Sequence, residues 1–330
     1  MRHPLFVGGT RPVSSPRVLI TRPIPDAGLA LLRAAKLDYH LPDSPPDHDR
    51  LFQLVAHHDA VIGQLADRFD APLIAAASSR CRIIATCSVG TDHIDLDAAR
   101  AAGIHVTNTP GVLTEATADL TWALLLATAR RITEAERLAR SGTWQGWEMM
   151  QMLGADVHGR MLGIVGAGRI GTAVARRSIG FSMTVLYTAR EDKPAMAALG
   201  ARRVPLETLL AGSDFVSLHC PLTDETRHLL NRSALERMRP GSVLINTARG
   251  PIVDESALID LLRERRIAAA GFDVYEHEPR IPPELIALEN VVLLPHIGSA
   301  TVTTRNRMAE MAAEDVIAVL GGKPPLRPVC

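Results

Sequence analysis

An α/β protein built from two parallel-sheet units, one inserted into the other, is the fold class this sequence predicts. Three observations carry the prediction. Short apolar runs alternate with stretches of helical period along nearly the whole chain, the rhythm of a parallel sheet flanked by helices. A glycine-rich turn, "IVGAGRIG" at residues 164–171, stands midway and not at the start. A helical stretch from Thr301 to about Leu320 closes the chain with no strand left to follow it, so it is expected to pack back on the first unit.

The first unit runs "RVLITRP", "DAGLALLRAA", "DAVIGQL", "APLIAAASS", "CRIIATCSVG" and "GIHVTNTP". It is a complete α/β unit without a glycine-rich phosphate loop. One long helix over residues 113–140 is expected to join it to the second unit, whose strands are "RMLGIVG", "TVLYTA", "DFVSLHCP", "SVLINTA", "AAAGFDV" and "VVLLPH". Six strands in that rhythm suit a full dinucleotide-binding (Rossmann) fold. The expected boundaries are 17–108 with 299–330 for the split unit and 109–298 for the inserted one.

Composition narrows the partner. The 330 residues are 47% hydrophobic, ample for two cores. Thirty-six Lys and Arg balance 36 Asp and Glu, so no net field favours nucleic acid or an anionic membrane. A small molecule is the expected partner. The most membrane-like run, "LTWALLLATA", is half of the roughly twenty residues that a span needs and reads as a core helix. Cys81, Cys87, Cys220 and Cys330 form no CxxC pair. Cys81 and Cys87 fall on one apparent strand, roughly 20 Å apart and beyond disulfide reach. Reduced thiols in a cytoplasmic protein are expected. Residues 1–16, with three prolines, two arginines and no acidic residue, read as a disordered tail.

In Gly166-Ala167-Gly168-Arg169-Ile170-Gly171 the first glycine permits a tight turn, the second lets backbone approach a pyrophosphate and the third lets helix pack on strand. The helix N-terminus offers free amides and a positive dipole end to phosphate. An NAD site places Asp or Glu about twenty residues on, at the end of the second strand, for the ribose 2′-hydroxyl. Here stand Tyr187, Thr188, Ala189 and Arg190. With no carboxylate to repel a 2′-phosphate and an arginine to pair with it, NADP is the preferred cofactor. A charge-assisted contact of roughly 1.5 to 3 kcal/mol makes this a preference that leaves NAD possible. Glu191 and Asp192 follow at once and oppose it.

Three strand ends carry polar groups beyond an apolar sheet: "NTARG" with Arg249, "GFDVYEHEP" with Asp273 and Glu278, and "LLPHIG" with His296. Ligands of open α/β sheets bind at the carboxyl ends of strands. Singly, an arginine can cap a turn, a carboxylate a helix, and a histidine can be structural. Together they provide an anion fork, a proton donor and a group to tune it.

In these settings Arg249, Glu278 and His296 resemble the triad of the D-2-hydroxyacid dehydrogenases. The resemblance runs from Arg17 to about Leu320 through "SVGTDHIDL", "GIHVTNTPGVLTEATADLTWALLLATARR", "HCPLTDETRHLLN", "INTARGPIVDESAL" and "PHIGSAT". Within the family the chain is most similar to the glyoxylate and hydroxypyruvate reductases. The resemblance implies a Rossmann domain inserted into a split, flavodoxin-like substrate domain, and an NAD(P)-dependent enzyme reducing small 2-keto acids to D-2-hydroxy acids. Arg249 would grip the substrate carboxylate, His296 would act as general acid and base, and Glu278 would orient and stabilise its imidazolium. Asp273 would hold the carboxamide, and Cys220, Pro221, Thr247, Ala248 and Gly298 would line the cofactor with the glycine loop, Ala189 and Arg190. Val89 and Gly90 would form a second carboxylate clamp, Leu65 would face substrate, and Trp147 would reach a partner subunit's site in a homodimer. The stretch "GQLAD" offers no cation for a substrate phosphate, which disfavours 3-phosphoglycerate.

Asp92, His93 and Asp95 resemble a metal cluster, but they also suit a turn and the cap of a helix starting near Asp95, and no metal is expected. His57 and His58 read as a solvated helix end. Two other functions fit the same fold: a dehydrogenase for another 2-hydroxy acid or phosphite, and a dinucleotide-sensing corepressor-like scaffold. The second would need a peptide-docking surface or a long tail, which disfavours it here.

Overall fold

The computed structural model describes residues 15–330. Of the expected tail, residues 1–14 lie outside the described part. Two units emerge: the described residues up to Pro110 together with Arg305–Cys330, and Gly111–Thr304.

The first unit contains β1 (Arg17–Ile20), α1 (Asp26–Ala34), β2 (Asp38–His40), α2 (His48–Val55), β3 (Ala60–Gly63), α3 (Ala71–Ala77), β4 (Ile83–Thr86), α4 (Leu96–Ala101) and β5 (His105–Thr107). The sheet is parallel with order β2-β1-β3-β4-β5, the doubly wound arrangement of flavodoxin type. β3 and β4 are buried on every residue, which is why they read as apolar runs without alternation. Asp47, Asp70 and Asp95 cap α2, α3 and α4 by accepting the amides of Arg50, Leu73 and Ala98, satisfying donors that a helix start leaves open. Gly28 lets α1 approach the closing helix, since a Cβ there would lie 2.8 Å from the Ala309 carbonyl oxygen.

Three expectations for this unit are corrected. β2 is absent from the sequence reading because Asp38, Tyr39 and His40 form a short, part-exposed edge with no apolar period. Cys81 and Cys87 flank β4 instead of sharing it, and all four cysteines are free. His58 is not solvated: it is buried, its Nδ1 lies 2.7 Å from the Leu54 carbonyl oxygen, and its ring stacks on His40. The turn after α2 folds it inward, and burial holds its pKa below the ordinary value.

The second unit contains α5 (Thr114–Ala129), α6 (Ile132–Ser141), β6 (Met161–Val165), α7 (Arg169–Arg177), β7 (Thr184–Thr188), α8 (Pro194–Ala197), β8 (Arg202–Arg203), α9 (Leu206–Gly212), β9 (Phe215–Leu218), α10 (Arg232–Glu236), β10 (Val243–Asn246), α11 (Glu255–Arg263), β11 (Ala269–Phe272), α12 (Pro283–Ile286) and β12 (Val291–Leu293). The final helix, α13 (Val302–Leu320), starts here and continues into the first unit. The sheet is parallel with order β12-β11-β10-β9-β6-β7-β8, a Rossmann order extended by β12. It has seven strands where the sequence predicts six. The extra one, β8, is two exposed arginines pairing with Leu186 and Tyr187, and no apolar signal marks it.

The expected single helix over 113–140 is two helices. Arg131 takes a left-handed conformation between α5 and α6 (φ 55°, ψ 35°), at a cost of about 1–2 kcal/mol for a non-glycine residue. Its side chain forks onto Glu134. The incoming backbone of Ala155 donates to the Ala129 carbonyl at 2.8 Å, so the last turn of α5 is capped by a tertiary contact that residues 113–140 do not encode. Trp122 anchors α5, donating to the Val174 carbonyl and stacking on Phe181. Among the described residues no helix is long and apolar enough to cross a membrane.

Candidate active site

The glycine loop links β6 to α7. Gly166 has φ +94°, and a Cβ there would lie 2.4 Å from the Cys220 backbone nitrogen. The loop is thereby seated against the end of β9, at the point where strand order reverses. A Cβ on Gly171 would lie 2.2 Å from the Gly166 carbonyl oxygen, so helix packs on loop through bare backbone. At Gly168, the residue before α7, nothing lies within 4 Å of a Cβ. Two glycines are demanded by close packing and the third opens space before free helix amides. That is the cradle a pyrophosphate requires, and a nicotinamide dinucleotide fits it. Ala167 is buried, Arg169 exposed and Ile170 half-buried.

The loop after β10 carries Thr247, Ala248 and Arg249. Asn246 staples it: Nδ2 donates to the Arg249 carbonyl and Oδ1 accepts the Ala248 amide. Arg249 Nη1 donates to the Ala248 carbonyl at 2.8 Å. Thr247 is buried and its hydroxyl lies 2.8 Å from that of Thr121 on α5. Gly250 then brings this loop onto the next one, since a Cβ there would sit 1.9 Å from the Tyr275 carbonyl carbon.

That next loop follows β11 and carries Asp273 and Glu278. Glu278 Oε2 lies 2.8 Å from His296 Nδ1, and its Oε1 accepts the Tyr275 amide. Burial pushes the Glu278 carboxyl up, but the bond and charge of His296, the Tyr275 amide and the charge of Arg249 outweigh it and hold it below the ordinary value. Glu278 is therefore ionised at neutral pH. Tyr275 ties the loop to β12 by donating to the Leu294 carbonyl.

His296 has φ +55°, and the turn beyond it is held from two sides. Asp273 Oδ1 and Oδ2 accept the amides of Ile297 and Gly298 at 2.7 Å each. Thr117 donates to the Gly298 carbonyl. Asp273 is 1% exposed, and burial lifts its pKa above the ordinary value, only partly offset by the amides and His296. Each oxygen already accepts an amide, so the geometry makes Asp273 the support of the His296 turn.

Two other histidines lie close in the fold. His219, beside Cys220, is bonded through Nε2 to Ser217 and pushed down to about 3 by burial. His228 pairs with Glu276 at 2.6 Å, and its amide donates to the Pro251 carbonyl. Burial pushes the Cys220 thiol up to about 11, which leaves it neutral and a poor nucleophile. Pro221 is exposed and its carbonyl accepts the Thr226 hydroxyl.

At the end of β7, Arg190 is exposed and makes no ion pair among the described residues, while Ala189 is half-buried. The opposing carboxylates each have a cation: Lys193 lies 2.5 Å from Glu191, and Arg203 lies 3.3 Å from Asp192. Arg203 escaped the sequence reading because it belongs to the unmarked strand β8.

Leu65, Val89 and Gly90 belong to the first unit, in the loops after β3 and β4. The Leu65 loop is tied by buried Asp67, which accepts Thr21 Oγ1, Arg22 Nε and the Gln64 amide. The carbonyls of Val89 and Gly90 accept from Asn108 and Ser88. Asp95 is engaged as the cap of α4, and His93 Nε2 lies 3.1 Å from Thr86 Oγ1. Trp147, in the second unit, is 76% exposed, with Trp144, Met149, Met150 and Leu153 also exposed around it in sequence.

The residues missed in sequence are the supports: Asn246, Thr117, Thr121, Gly250 and Arg203. Asn246 ends an apolar strand, and Thr117 and Thr121 sit at i, i+4 on a buried helix, the signals that could have exposed them.

Comparison with known proteins places the chain in a family. The family model described as D-isomer specific 2-hydroxyacid dehydrogenase, NAD binding domain, matches residues 122–298. The chain is 51% identical to a glyoxylate reductase of Korarchaeum cryptofilum, over 94% of each protein. Among solved structures it is similar to a protein of Thermus thermophilus, with TM-score 0.89 and 49% identity over 95% of this chain and 100% of that one. It is also similar to an NADPH-dependent glyoxylate/hydroxypyruvate reductase of Sinorhizobium meliloti solved with NADP and malonate, with TM-score 0.84 and 35% identity over 96% and 97%. The chain thus belongs to the D-isomer specific 2-hydroxyacid dehydrogenase family and is an NAD(P)-dependent oxidoreductase.

Proposed function

We propose that this protein reduces small 2-keto acids, glyoxylate and hydroxypyruvate foremost, to D-2-hydroxy acids with NADPH preferred over NADH. The observation that carries the reading is the 2.8 Å bond between His296 Nδ1 and Glu278 Oε2. With Nδ1 committed to a carboxylate, Nε2 is the ring nitrogen left to donate a proton to the keto oxygen. An ionised Glu278 stabilises the imidazolium that this step needs. A bound nicotinamide supplies the hydride. Arg249 binds the substrate carboxylate through its planar fork and polarises the keto group. Val89 and Gly90 offer amides for a carboxylate, and Leu65 with Gln64 and Ala66 offers no cation for a phosphate.

The glyoxylate reductases named among the relatives support the substrate class, and the NADP-bound Sinorhizobium enzyme supports the coenzyme. The exposed Arg190, with Ala189 where NAD sites carry an acid, supports the NADPH preference. Asp273 also meets the nicotinamide carboxamide in this reading, and Cys220, Pro221, Thr247, Ala248 and Gly298 line the cofactor. Exposed Trp147 suits a homodimer in which it reaches the partner's site. Four free thiols suit the cytoplasm.

The test is oxidation of NADPH and of NADH by the purified protein against glyoxylate, hydroxypyruvate, pyruvate and longer 2-keto acids. Turnover is expected with glyoxylate and hydroxypyruvate above all, faster with NADPH, and absence of turnover with all of them overturns the reading. Light scattering on the wild type and W147A tests the dimer, with loss of glyoxylate turnover expected in the variant.

A further inference from the structure

We propose that Arg203 is a specificity-determining positioning residue for the coenzyme, acting by neutralising Asp192 and fixing the loop backbone so that the charge of Arg190 faces a 2′-phosphate uncancelled. The proposal rests on the NADPH reading above and assigns its selectivity to a residue outside the β7 loop.

The loop after β7 presents Arg190, Glu191, Asp192 and Lys193 in succession. Taken alone these four charges sum to zero, and a dianionic phosphate gains nothing from a neutral loop. The fold changes this sum. Arg203 stands opposite Tyr187 in the β7 and β8 register, and its side chain crosses to the loop with all three nitrogens engaged. Nε donates to the Ala189 carbonyl at 3.0 Å and Nη2 to the Arg190 carbonyl at 2.8 Å. Nη1 lies 3.3 Å from Asp192 Oδ1. Lys193 holds Glu191 at 2.5 Å, and its own amide donates to the Tyr187 hydroxyl.

Each carboxylate is thereby matched by a cation, and Arg190 is the charge left over. The Glu191 carboxyl is held below its ordinary value by the Lys193 bond first, with smaller help from the charges of Arg190 and Arg203. Glu225, in the loop after β9, feels the charge of Arg190 only as the last of its influences, behind the Thr223 hydroxyl and its own backbone amide, and no ion pair joins the two among the described residues. A guanidinium spanning two successive carbonyls also fixes the backbone from which Arg190 projects. A lysine in its place carries the charge but not the planar fork.

The experiment measures binding to the full-length protein by calorimetry, with adenosine 2′,5′-bisphosphate, 5′-AMP, NADPH and NADH as probes, beside kcat and KM with each coenzyme. R203A is expected to lower the preference for 2′-phosphorylated over unphosphorylated probes about tenfold, one charge-assisted contact in scale, with kcat at saturating coenzyme unchanged. D192N alone is expected to raise the preference, because it leaves the charge of Arg203 without its carboxylate. D192N/R203A is expected to recover most of what R203A loses, and R203K is expected to fall between wild type and R203A. Equal weakening of both probe classes in R203A, or no recovery in D192N/R203A, overturns the role of Arg203. A wild type that binds NADH as tightly as NADPH overturns the coenzyme reading instead, a result independent of how the ratio moves in R203A.

Discussion

Asp273 Oδ2 accepts the Gly298 amide at 2.7 Å, two residues beyond His296. With Oδ1 on Ile297 at the same distance, one buried carboxylate fixes the left-handed turn from which the imidazole meets Glu278. D273N keeps the shape but turns an amide group toward a backbone amide, losing one charge-assisted bond of about 1.5–3 kcal/mol and leaving a buried donor without an acceptor. A fall in kcat/KM of roughly ten- to a hundredfold, with a raised KM for coenzyme because Asp273 also meets its carboxamide, is expected from steady-state assay. Unchanged kcat/KM would remove Asp273 from the support of the site.

The Glu278 pair has a defined pH signature. Because its folded pKa lies below the ordinary value, the carboxylate contributes stability that is fully present above the unfolded value of about 4.3 and is lost as pH falls through the folded one. E278Q removes this contribution. Urea unfolding of wild type and E278Q is expected to differ above the unfolded value and to converge as pH falls through the folded one, whereas the kcat/KM of E278Q at neutral pH drops on the order of a hundredfold.

Gly250 is a packing requirement. A Cβ there would lie 1.9 Å from the Tyr275 carbonyl carbon and 2.4 Å from the Glu276 nitrogen, both backbone atoms that cannot rotate away. G250A must therefore separate the loop bearing Arg249 from the loop bearing Glu278. Overpacking of this kind costs about 1–3 kcal/mol, read as a lowered urea midpoint, together with loss of turnover beyond what the stability change explains.

The hydroxyl pair between α5 and the end of β10 should behave as a unit. Thr121 donates to the Thr117 carbonyl, so Thr247 is the donor in the 2.8 Å contact between the two hydroxyls. T121V strands the buried Thr247 hydroxyl, at about 1–3 kcal/mol. T121V/T247V removes both partners and is expected to recover part of that loss in a double-mutant cycle. Strict additivity would show that the two side chains do not interact.

Local patterns are legible where burial is deep. Apolar runs mark β3, β4 and β10, each buried along its length, whereas β2 and β8, at exposed sheet edges, carry no such signal. Asp95 in front of α4 signals its capping role. The resemblance to a known family supplies the partners Arg249, Glu278 and His296, and the structure brings Glu278 to His296 across 18 residues of chain.

What the sequence by itself determined is the succession of the buried strands with the helical stretches between them, the glycine loop and the residues set at strand ends, because each depends on period, backbone freedom or capping within a few residues. Tertiary structure alone decided where the helix at residues 113–140 breaks, which carboxylate supports the His296 turn and which cations cancel Glu191 and Asp192. Those outcomes depend on the Ala155 amide reaching Ala129, on Asp273 reaching Gly298 and on Arg203 crossing from β8. Hydrogen bonds and charges act over a few ångströms of space, whatever number of residues lies between the partners.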